Sequence, residues 1–241
     1  MDLINVIKKV FTLATIMVMA VSLKAQNIPE SDPIKTSVGI VEMHFIGHGS
    51  LMFKYDGKII YMDPVKSSGN YDQLPQADVI LVTHEHGDHL DAALIEKLKK
   101  ADTKIFCNNS SVSKSNGIAM TPGSIQEVGT IKIEAVDAYN IEKSFHPKGN
   151  GLGFILTFGD KRIYVAGDTE NTPEMKALKN IDIAFLPMNL PYTMNPEMVA
   201  DAAKAFKPKI LYPYHYGNTD TNELLKLLEG TGIEVRVRNL K

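Results

Sequence analysis

The sequence has only one cysteine, little net charge and no low-complexity tract, so none of these features indicates a class of protein. Its single cysteine, Cys107, cannot form a disulfide within the chain, so the fold depends on its packed core and on any bound metal. The formal net charge is only −2, which argues against a surface for nucleic acid or anionic membranes, since both need a clear basic excess. No low-complexity tract is present. The composition is that of an ordinary soluble globular protein.

An apolar run near the amino terminus is too short for a membrane span. Val10–Leu23 has 14 residues, whereas a transmembrane helix needs about 20. Lys8 and Lys9 precede the run, and Ala25 follows it as a small residue before a cleavage point. We therefore expect residues 1–25 to be a secretory signal peptide and the mature protein to be periplasmic or secreted, without stable membrane insertion. An uncleaved membrane anchor is the alternative.

The rest of the chain divides into a linker and one domain. Residues 26–38 are polar and contain two prolines, which predicts a linker, and residues 39–241 are predicted to form a single domain. Short apolar runs predict strands, and strand meanders precede β–α units in each half, which indicates an α/β fold with helices outside two sheets. The strands are predicted at Val41–Ile46, Leu51–Tyr55, Lys58–Met62, Val79–Val82, Ile105–Cys107, Ile131–Val136, Phe154–Phe158, Arg162–Ala166, Ile181–Leu186, Ile210–Tyr214 and Ile233–Val237, and the helices at Leu90–Lys100, Pro196–Phe206 and Asn222–Leu228.

The strongest chemical signal is the segment His84–His89, which reads His-Glu-His-Gly-Asp-His. Residues two apart in an extended segment point to the same side, so His84 and His86 can reach one metal ion. Gly87 is expected to bend the backbone and turn the last two side chains toward a second ion. The segment follows a predicted buried strand, where a loop is both rigidly placed and accessible. Imidazole and carboxylate at this density favour Zn²⁺, and a solvated loop without metal is the alternative.

The pattern His-x-His-x-Asp-His resembles the signature of the metallo-β-lactamase superfamily. Later motifs follow in the order of that family. They are His146 before a strand, Asp168 in Ala-Gly-Asp-Thr at a strand end, and His215 in Tyr-Pro-Tyr-His-Tyr-Gly at another. Gly-His-Gly-Ser at residues 47–50 and Met-Asp-Pro at residues 62–64 also match. The resemblance covers almost the whole predicted domain and implies a four-layer αββα sandwich, the metallo-β-lactamase fold.

The resemblance also implies a cofactor of two Zn²⁺ ions, with Mn²⁺ or Fe²⁺ as alternatives, and hydrolysis by a hydroxide that bridges them. Asp88 and Asp168 would be the catalytic carboxylates. Each later ligand also has a plainer explanation, as a surface loop for His146, a helix N-cap for Asp168 and a core-edge residue for His215. The implied ligands form two groups, namely His84, His86 and His146 for one ion and Asp88, His89 and His215 for the other, with Asp168 bridging both.

Four further residues are candidates for supporting roles. Asp63 can accept a hydrogen bond from a ligating imidazole, because such imidazoles usually donate their other N–H to a carboxylate or carbonyl group. His48 either lines the pocket or belongs to a turn. Lys148 is either a partner for an anionic substrate group or an exposed lysine. Tyr192 either donates its hydroxyl to a developing oxyanion or packs within its loop.

The residues also narrow the branch of the superfamily that the chain resembles. Asp168 stands where true β-lactamases carry Cys or Ser, and His86 stands where flavodiiron oxidoreductases place Glu. The motifs resemble the branch that includes ascorbate-6-phosphate lactonase and N-acyl-phosphatidylethanolamine phospholipase D. The resemblance therefore implies a metal-dependent hydrolase of an ester, lactone or phosphodiester. A non-catalytic metal-binding protein on the same scaffold is the alternative. The sequence does not indicate whether the protein is a monomer or an oligomer.

Overall fold

The computed structural model describes residues 29–241, so the predicted signal peptide at residues 1–25 lies outside the described residues. Within the described range, none of the helices combines the length and the apolar character needed to cross a membrane. The chain forms two seven-stranded sheets, each built from strands that are neighbours in sequence.

The first sheet holds the first seven strands in chain order. They are β1 (Ser31–Thr36), β2 (Gly39–Gly47), β3 (Ser50–Tyr55), β4 (Lys58–Met62), β5 (Ala77–Val82), β6 (Lys99–Cys107) and β7 (Ile118–Ala119). Strands β1 to β4 pair antiparallel, and β4 to β7 pair parallel. The change from antiparallel to parallel pairing agrees with the predicted meander followed by β–α units.

The second sheet repeats this plan. Its strands are β8 (Ile125–Val128), β9 (Ile131–Ala138), β10 (Gly151–Phe158), β11 (Lys161–Val165), β12 (Ile183–Pro187), β13 (Ile210–Tyr214) and β14 (Glu234–Val235). Strands β8 to β11 are antiparallel and β11 to β14 are parallel. The helices are α1 (Ala92–Leu98), α2 (Val112–Ser115), α3 (Pro173–Lys176), α4 (Pro196–Phe206) and α5 (Thr221–Leu228).

Alternating side chains of the central strands pack on opposite sides of the first sheet. Val79 and Leu81 of β5 belong to the core between the sheets, whereas Ile80 belongs to a separate cluster that includes Leu94 of α1. Successive side chains of a strand point to opposite faces, so a continuous apolar run is the pattern of a strand that is covered on both faces. Burying each such side chain contributes about 1.5–3 kcal/mol.

The two sheets pack face to face through aromatic side chains. Phe53 of the first sheet contacts Phe185 of the second edge to face, with ring centroids 6.4 Å apart. Phe45 lies 5.3 Å from Tyr212 in the same interface. On the outer side of the second sheet, α4 and α5 contribute buried residues to the same core. The architecture is therefore helix, sheet, sheet, helix, and the predicted αββα sandwich is confirmed.

Three local features differ from the sequence-based expectations. Strand β1 lies inside the predicted linker and pairs with β2, and its Pro33 is accommodated because β1 is an edge strand. The predicted helix Leu90–Lys100 ends earlier, and β6 begins at Lys99. Gly87 is absent from the glycines with positive φ, and a Cβ added there would meet no atom within 4 Å. The chain does turn at Gly87, since the amide of His89 donates to the His86 carbonyl group at 3.0 Å, but the turn does not require glycine because its backbone is one that other residues also adopt.

Candidate metal centre

The predicted site residues come together where parallel strands end. Asp63 follows β4, His84 follows β5 after Thr83, and His215 follows β13. Asp168 lies a few residues beyond the end of β11. In open α/β sheets, ligands bind beyond the carboxyl ends of the strands, and here both sheets deliver side chains to one such edge.

One group of imidazoles contains His84, His86 and His146. The Nε2 atom of His84 lies 3.1 Å from Nδ1 of His86, and that atom lies 3.2 Å from Nε2 of His146. Tetrahedral ligands at ~2.0–2.1 Å from a zinc ion are about 3.3 Å apart, so these spacings suit three corners of one coordination sphere. The structure thus brings together the three residues that the sequence assigned to the first ion.

A second group contains Asp88, His89 and His215, together with His48. Oδ2 of Asp88 lies 3.5 Å from Nε2 of His215 and 3.9 Å from Nε2 of His89. It also lies 3.3 Å from Nε2 of His48, whose ring packs 3.8 Å from that of His215. The predicted second ligand set is assembled, and His48, which lies in the turn between β2 and β3, also lines the pocket.

Asp168 lies between the two groups. Its Oδ2 is 3.3 Å from Nε2 of His146 in the first group and 3.5 Å from Nε2 of His215 in the second. Its Oδ1 is 3.4 Å from Nε2 of His89. Three of these buried atoms have no hydrogen-bond partner among the described residues, namely Oδ1 of Asp168, Nε2 of His89 and Nε2 of His215. Unpartnered buried polar atoms are costly, and their convergence on one point fits a bound cation.

Hydrogen bonds on the far side of the rings fix which imidazole nitrogen is free. Nδ1 of His89 lies 2.8 Å from a carboxylate oxygen of Asp63, and Nδ1 of His146 lies 3.2 Å from the carbonyl oxygen of Tyr192. These oxygens only accept, so each Nδ1 carries a hydrogen, and Nε2 is the ring atom left to give a lone pair to a metal ion. Thr83 plays the same part for His84, at 3.0 Å, while donating its own hydroxyl hydrogen to Asp63.

The charges around the second group favour a cation. Burial acts to raise the pKa of Asp168, but the surrounding histidines, His89 foremost, hold the pKa of that carboxyl below its usual value. Burial acts to lower the pKa of His89, but Asp168 and Asp63 raise it to about 9. By contrast, burial and neighbouring imidazoles hold the pKa of His84 well below its usual value, which keeps it neutral as a ligand must be. The negative field that retains a proton on His89 is the field that a metal ion would neutralise.

Of the residues predicted to support the site, Asp63 and Tyr192 contact the metal ligands and Lys148 does not. Asp63 is fully buried and bonded to His89, and Tyr192 lines the cleft and holds His146 through its carbonyl group. Lys148 instead pairs with Glu174 at 2.7 Å, with its Nζ 4.6 Å from the Tyr139 ring centroid, and does not line the cleft. Its proposed contact with an anionic substrate group is therefore not supported.

Sequence reasoning missed several residues that support the site. Asn189 lines the cleft, and its Nδ2 lies 3.5 Å from Nδ1 of His215. Glu85 accepts hydrogen bonds from Asn150 at 2.8 Å and from Ser110 at 2.5 Å, which ties the His84–His89 segment to two other loops. Asn189 lies just beyond the end of β12, so a search for polar residues after the ends of strands would have found it.

A sequence profile for the β-lactamase superfamily domain matches residues 42–215, more than half of the chain. The chain belongs to the metallo-β-lactamase-fold superfamily of metallohydrolases. A metal-dependent hydrolase of Thermoplasma acidophilum is 33% identical over 207 residues, which are 78% of this chain and 92% of that protein.

Solved structures of superfamily members agree. One from Parabacteroides distasonis, described as a metal-dependent hydrolase, is 49% identical with a TM-score of 0.86, and the match covers 88% of this chain and 99% of that one. A metallo hydrolase from Ignicoccus hospitalis, 24% identical over 83% of this chain and 95% of its own, shares the fold with a TM-score of 0.69. The prediction of a metal-dependent hydrolase of this superfamily is confirmed at this level.

Proposed function

We propose that the protein is a binuclear zinc hydrolase that cleaves an ester, lactone or phosphodiester bond in a small-molecule substrate. The observation that carries this proposal is the position of Asp168. Its oxygens lie 3.3 Å from His146 in one imidazole group and 3.4 Å from His89 in the other. A single carboxylate between two sets of imidazoles is suited to hold two cations close together, and it balances part of their charge.

The donor set favours zinc. Zn²⁺ accepts imidazole nitrogen and carboxylate oxygen and leaves a position open for water. Mn²⁺ and Fe²⁺ bind the same donor types and are the alternatives that metal analysis would reveal. The residues proposed to hold the ions are His84, His86 and His146 on one side, Asp88, His89 and His215 on the other, and Asp168 between them.

Hydrolysis forms a bond between a water oxygen and the carbonyl carbon or phosphorus, and it breaks the bond to the leaving oxygen, which takes up a proton. Bound zinc would supply a water acidified to a pKa near ~7 and would polarise the electrophile. Asp88 is half-exposed in the cleft, and although burial acts to raise the pKa of its carboxyl group, the neighbouring imidazoles of His215 and His48 hold that pKa below the usual value. The ionised carboxylates of Asp88 and Asp168 can therefore accept hydrogen bonds from a water and orient it. We also assign to the Tyr192 hydroxyl, on the cleft wall, the donation of a hydrogen bond to the developing oxyanion.

Metal analysis combined with a substrate screen tests this proposal. We expect about two zinc ions per purified chain and turnover of at least one ester, lactone or phosphodiester probe. Asp168→Asn should lose at least one ion. It should also reduce turnover by more than ~100-fold, which is the upper limit for replacing a residue that only hydrogen-bonds to a metal ligand. Asp72→Ala, at an exposed carboxylate in a surface ion pair, is the matched control and should change neither. Zinc-replete protein that cleaves none of the probes would overturn the proposal.

We further propose that the enzyme acts outside the cytoplasm. The support is the pattern of two lysines, an apolar run and Ala25 in residues 1–25. Expression of the full chain in its host, followed by fractionation and amino-terminal sequencing, should find a mature protein that begins at Gln26. Uncleaved protein in the membrane fraction would favour the anchor instead.

A further inference from the structure

Among the described residues, four of the nine exposed large apolar side chains lie on two loops beside the metal centre. One loop, residues 139–150, joins β9 to β10 and carries Ile141 and Phe145, which are 55% and 42% exposed. The other, residues 188–195, joins β12 to α4 and carries Leu190 and Tyr192, which are 52% and 43% exposed. Single exposed apolar residues need no explanation, but a group of them beside a cleft indicates a binding surface.

The two loops are joined to each other, so this surface is formed in advance of binding. The rings of Phe145 and Tyr192 meet edge to face with centroids 5.0 Å apart. Nδ2 of Asn140 donates to the Tyr192 carbonyl group at 2.8 Å, and Nζ of Lys143 donates to the Thr193 carbonyl group at 2.7 Å. A wall held in this way costs little conformational entropy when a ligand binds.

Phe145 and Tyr192 line the same cavity as the candidate metal ligands. That cavity has a volume of about 440 Å³ and is also lined by His86, Asp88, His146, Asp168 and His215. This volume lies in the range of small-molecule sites. An apolar group resting on the two rings would therefore lie beside the reacting bond.

No lysine or arginine is present among the described residues that line this cavity. The two lysines of the neighbouring loop are occupied, Lys143 by Glu170 and Lys148 by Glu174. An anionic group that lay against the two rings, away from the metal centre, would find no lysine or arginine partner among these lining residues. A second cavity of about 430 Å³, which shares His48 and Asp88 with the first, has a polar lining of Ser67, Ser68, Asn239 and Lys241 in addition. The apolar and polar parts of a substrate would thus be directed to different cavities, which share His48 and Asp88.

We infer that the substrate is an ester or lactone with an uncharged apolar acyl group, which binds against Phe145 and Tyr192 while the polar part of the molecule extends toward the second cavity. This inference rests on the proposed hydrolytic function and names its substrate class. It assigns Phe145 and the Tyr192 ring to specificity, since they contact a group that does not react.

The test is a series of acyl esters and γ-lactones of increasing alkyl length, assayed with zinc-loaded protein. We expect kcat/KM to rise by about two- to fourfold per methylene over the first several carbons, because each added group leaves water. Phe145→Ala combined with Tyr192→Ala should flatten this dependence, whereas Phe145→Leu should keep part of it. Leu225→Ala, at an equally exposed apolar residue on α5, is the matched control and should leave the dependence unchanged.

A second readout does not depend on turnover. Calorimetric titration with the product acids should show octanoate binding at least tenfold more tightly than butanoate, and the double alanine variant should lose that difference. Cleavage at the same rate for every chain length, with equal binding of the two acids, would overturn the inference while leaving the hydrolase proposal intact. Protein that cleaves no probe yet still prefers octanoate would overturn the proposed function instead. Vesicle binding that depends on Phe145 and Tyr192, without any length dependence, would show a membrane-docking surface and would also overturn the inference.

Discussion

Replacing Asp63 with asparagine should weaken the binding of one metal ion while leaving the fold intact. Asp63 is fully buried and meets three donors: the Thr83 amide at 2.7 Å, the Thr83 hydroxyl at 2.7 Å and Nδ1 of His89 at 2.8 Å. Asparagine has nearly the same shape, and its amide oxygen can still accept from the Thr83 amide. Its NH₂ group, however, must lie where a carboxylate oxygen accepted from the Thr83 hydroxyl and from His89.

The chemical consequence falls on the tautomer of His89. Facing an N–H donor, Nδ1 of His89 must become the acceptor, so the hydrogen moves to Nε2, the atom that faces Asp168 at 3.4 Å. A protonated Nε2 cannot bind a metal ion. The first group should be spared, because the Thr83 oxygen has two lone pairs and can accept from both the new NH₂ and Nδ1 of His84.

Two magnitudes follow. Replacing hydrogen bonds to a charged group by neutral ones should lower the free energy of unfolding of the metal-free protein by about 1–3 kcal/mol. Loss of the carboxylate behind a ligating imidazole should weaken binding of one ion by about 10–100-fold, which corresponds to about 1.4–2.7 kcal/mol.

Competition with a chelating indicator measures both affinities, and long-range ¹⁵N–¹H spectra report the imidazole tautomers directly. Asp78→Asn is the matched control, because Asp78 also accepts a backbone hydrogen bond, from Ile59 at 2.9 Å, but lies at the opposite end of β5 from His84. Two ions bound by Asp63→Asn with affinities within threefold of the parent protein, and an unchanged His89 tautomer, would refute the reasoning.

Three further predictions concern stability and the neighbours of the site. Removal of metal with a chelator should lower the thermal unfolding midpoint by about 5–10 °C in scanning calorimetry. A ligand present at 100 times its Kd stabilises the folded protein by about 2.7 kcal/mol, and each kcal/mol changes the unfolding midpoint of a domain of this size by about 2–4 °C. Glu85→Ala should weaken one ion about tenfold in the indicator assay, since hydrogen bonds from Ser110 and Asn150 overcome burial and lower the Glu85 pKa to about 2, and these bonds fix the His84–His89 segment. Burial acts to raise the pKa of Asp32, but Tyr212 and Arg238 hold it below 3.8, so the ionised carboxylate stabilises the fold above pH 3.8 and this contribution is lost as the pH falls below that value. Asp32→Asn should therefore lower the free energy of unfolding in urea by about 1–2 kcal/mol at pH 7 and by much less near pH 2.

The sequence was a good guide wherever a strand or helix has a strong pattern of its own. Lys58–Met62, Pro196–Phe206 and Ile210–Tyr214 have the bounds that were predicted, because each buries a continuous or periodic apolar set. Strands β1, β7 and β8 were missed. All three are edge strands with many exposed residues, so pairing with a neighbour rather than their own pattern determines their conformation.

The site shows the same division between local pattern and tertiary context. Spacing within His84–His89 predicted a metal site, and resemblance predicted which distant residues complete it. Neither reveals contacts that depend on how loops meet, such as Glu85 with Asn150 or Asn189 with His215. For Lys148 the sequence left a substrate contact and an exposed lysine as alternatives, and it did not reveal the partner, Glu174, which no local pattern places there.

The backbone of the site explains why alternation alone could not have placed its side chains. Four residues of the cleft and its support have left-handed φ values, His48 at 52°, Asp63 at 43°, His146 at 53° and His215 at 48°, and three of them directly follow the last residue of a strand. This conformation costs roughly 1–2 kcal/mol for each residue with a Cβ, and it breaks the two-residue period on which a strand prediction relies. The surroundings offset that cost, as the three hydrogen bonds to Asp63 illustrate. Strained backbone of this kind persists where the fold fixes a side chain in one orientation. Here the left-handed backbone turns residues from both sheets toward one point, where the atoms of His89, Asp168 and His215 that lack a hydrogen-bond partner among the described residues converge.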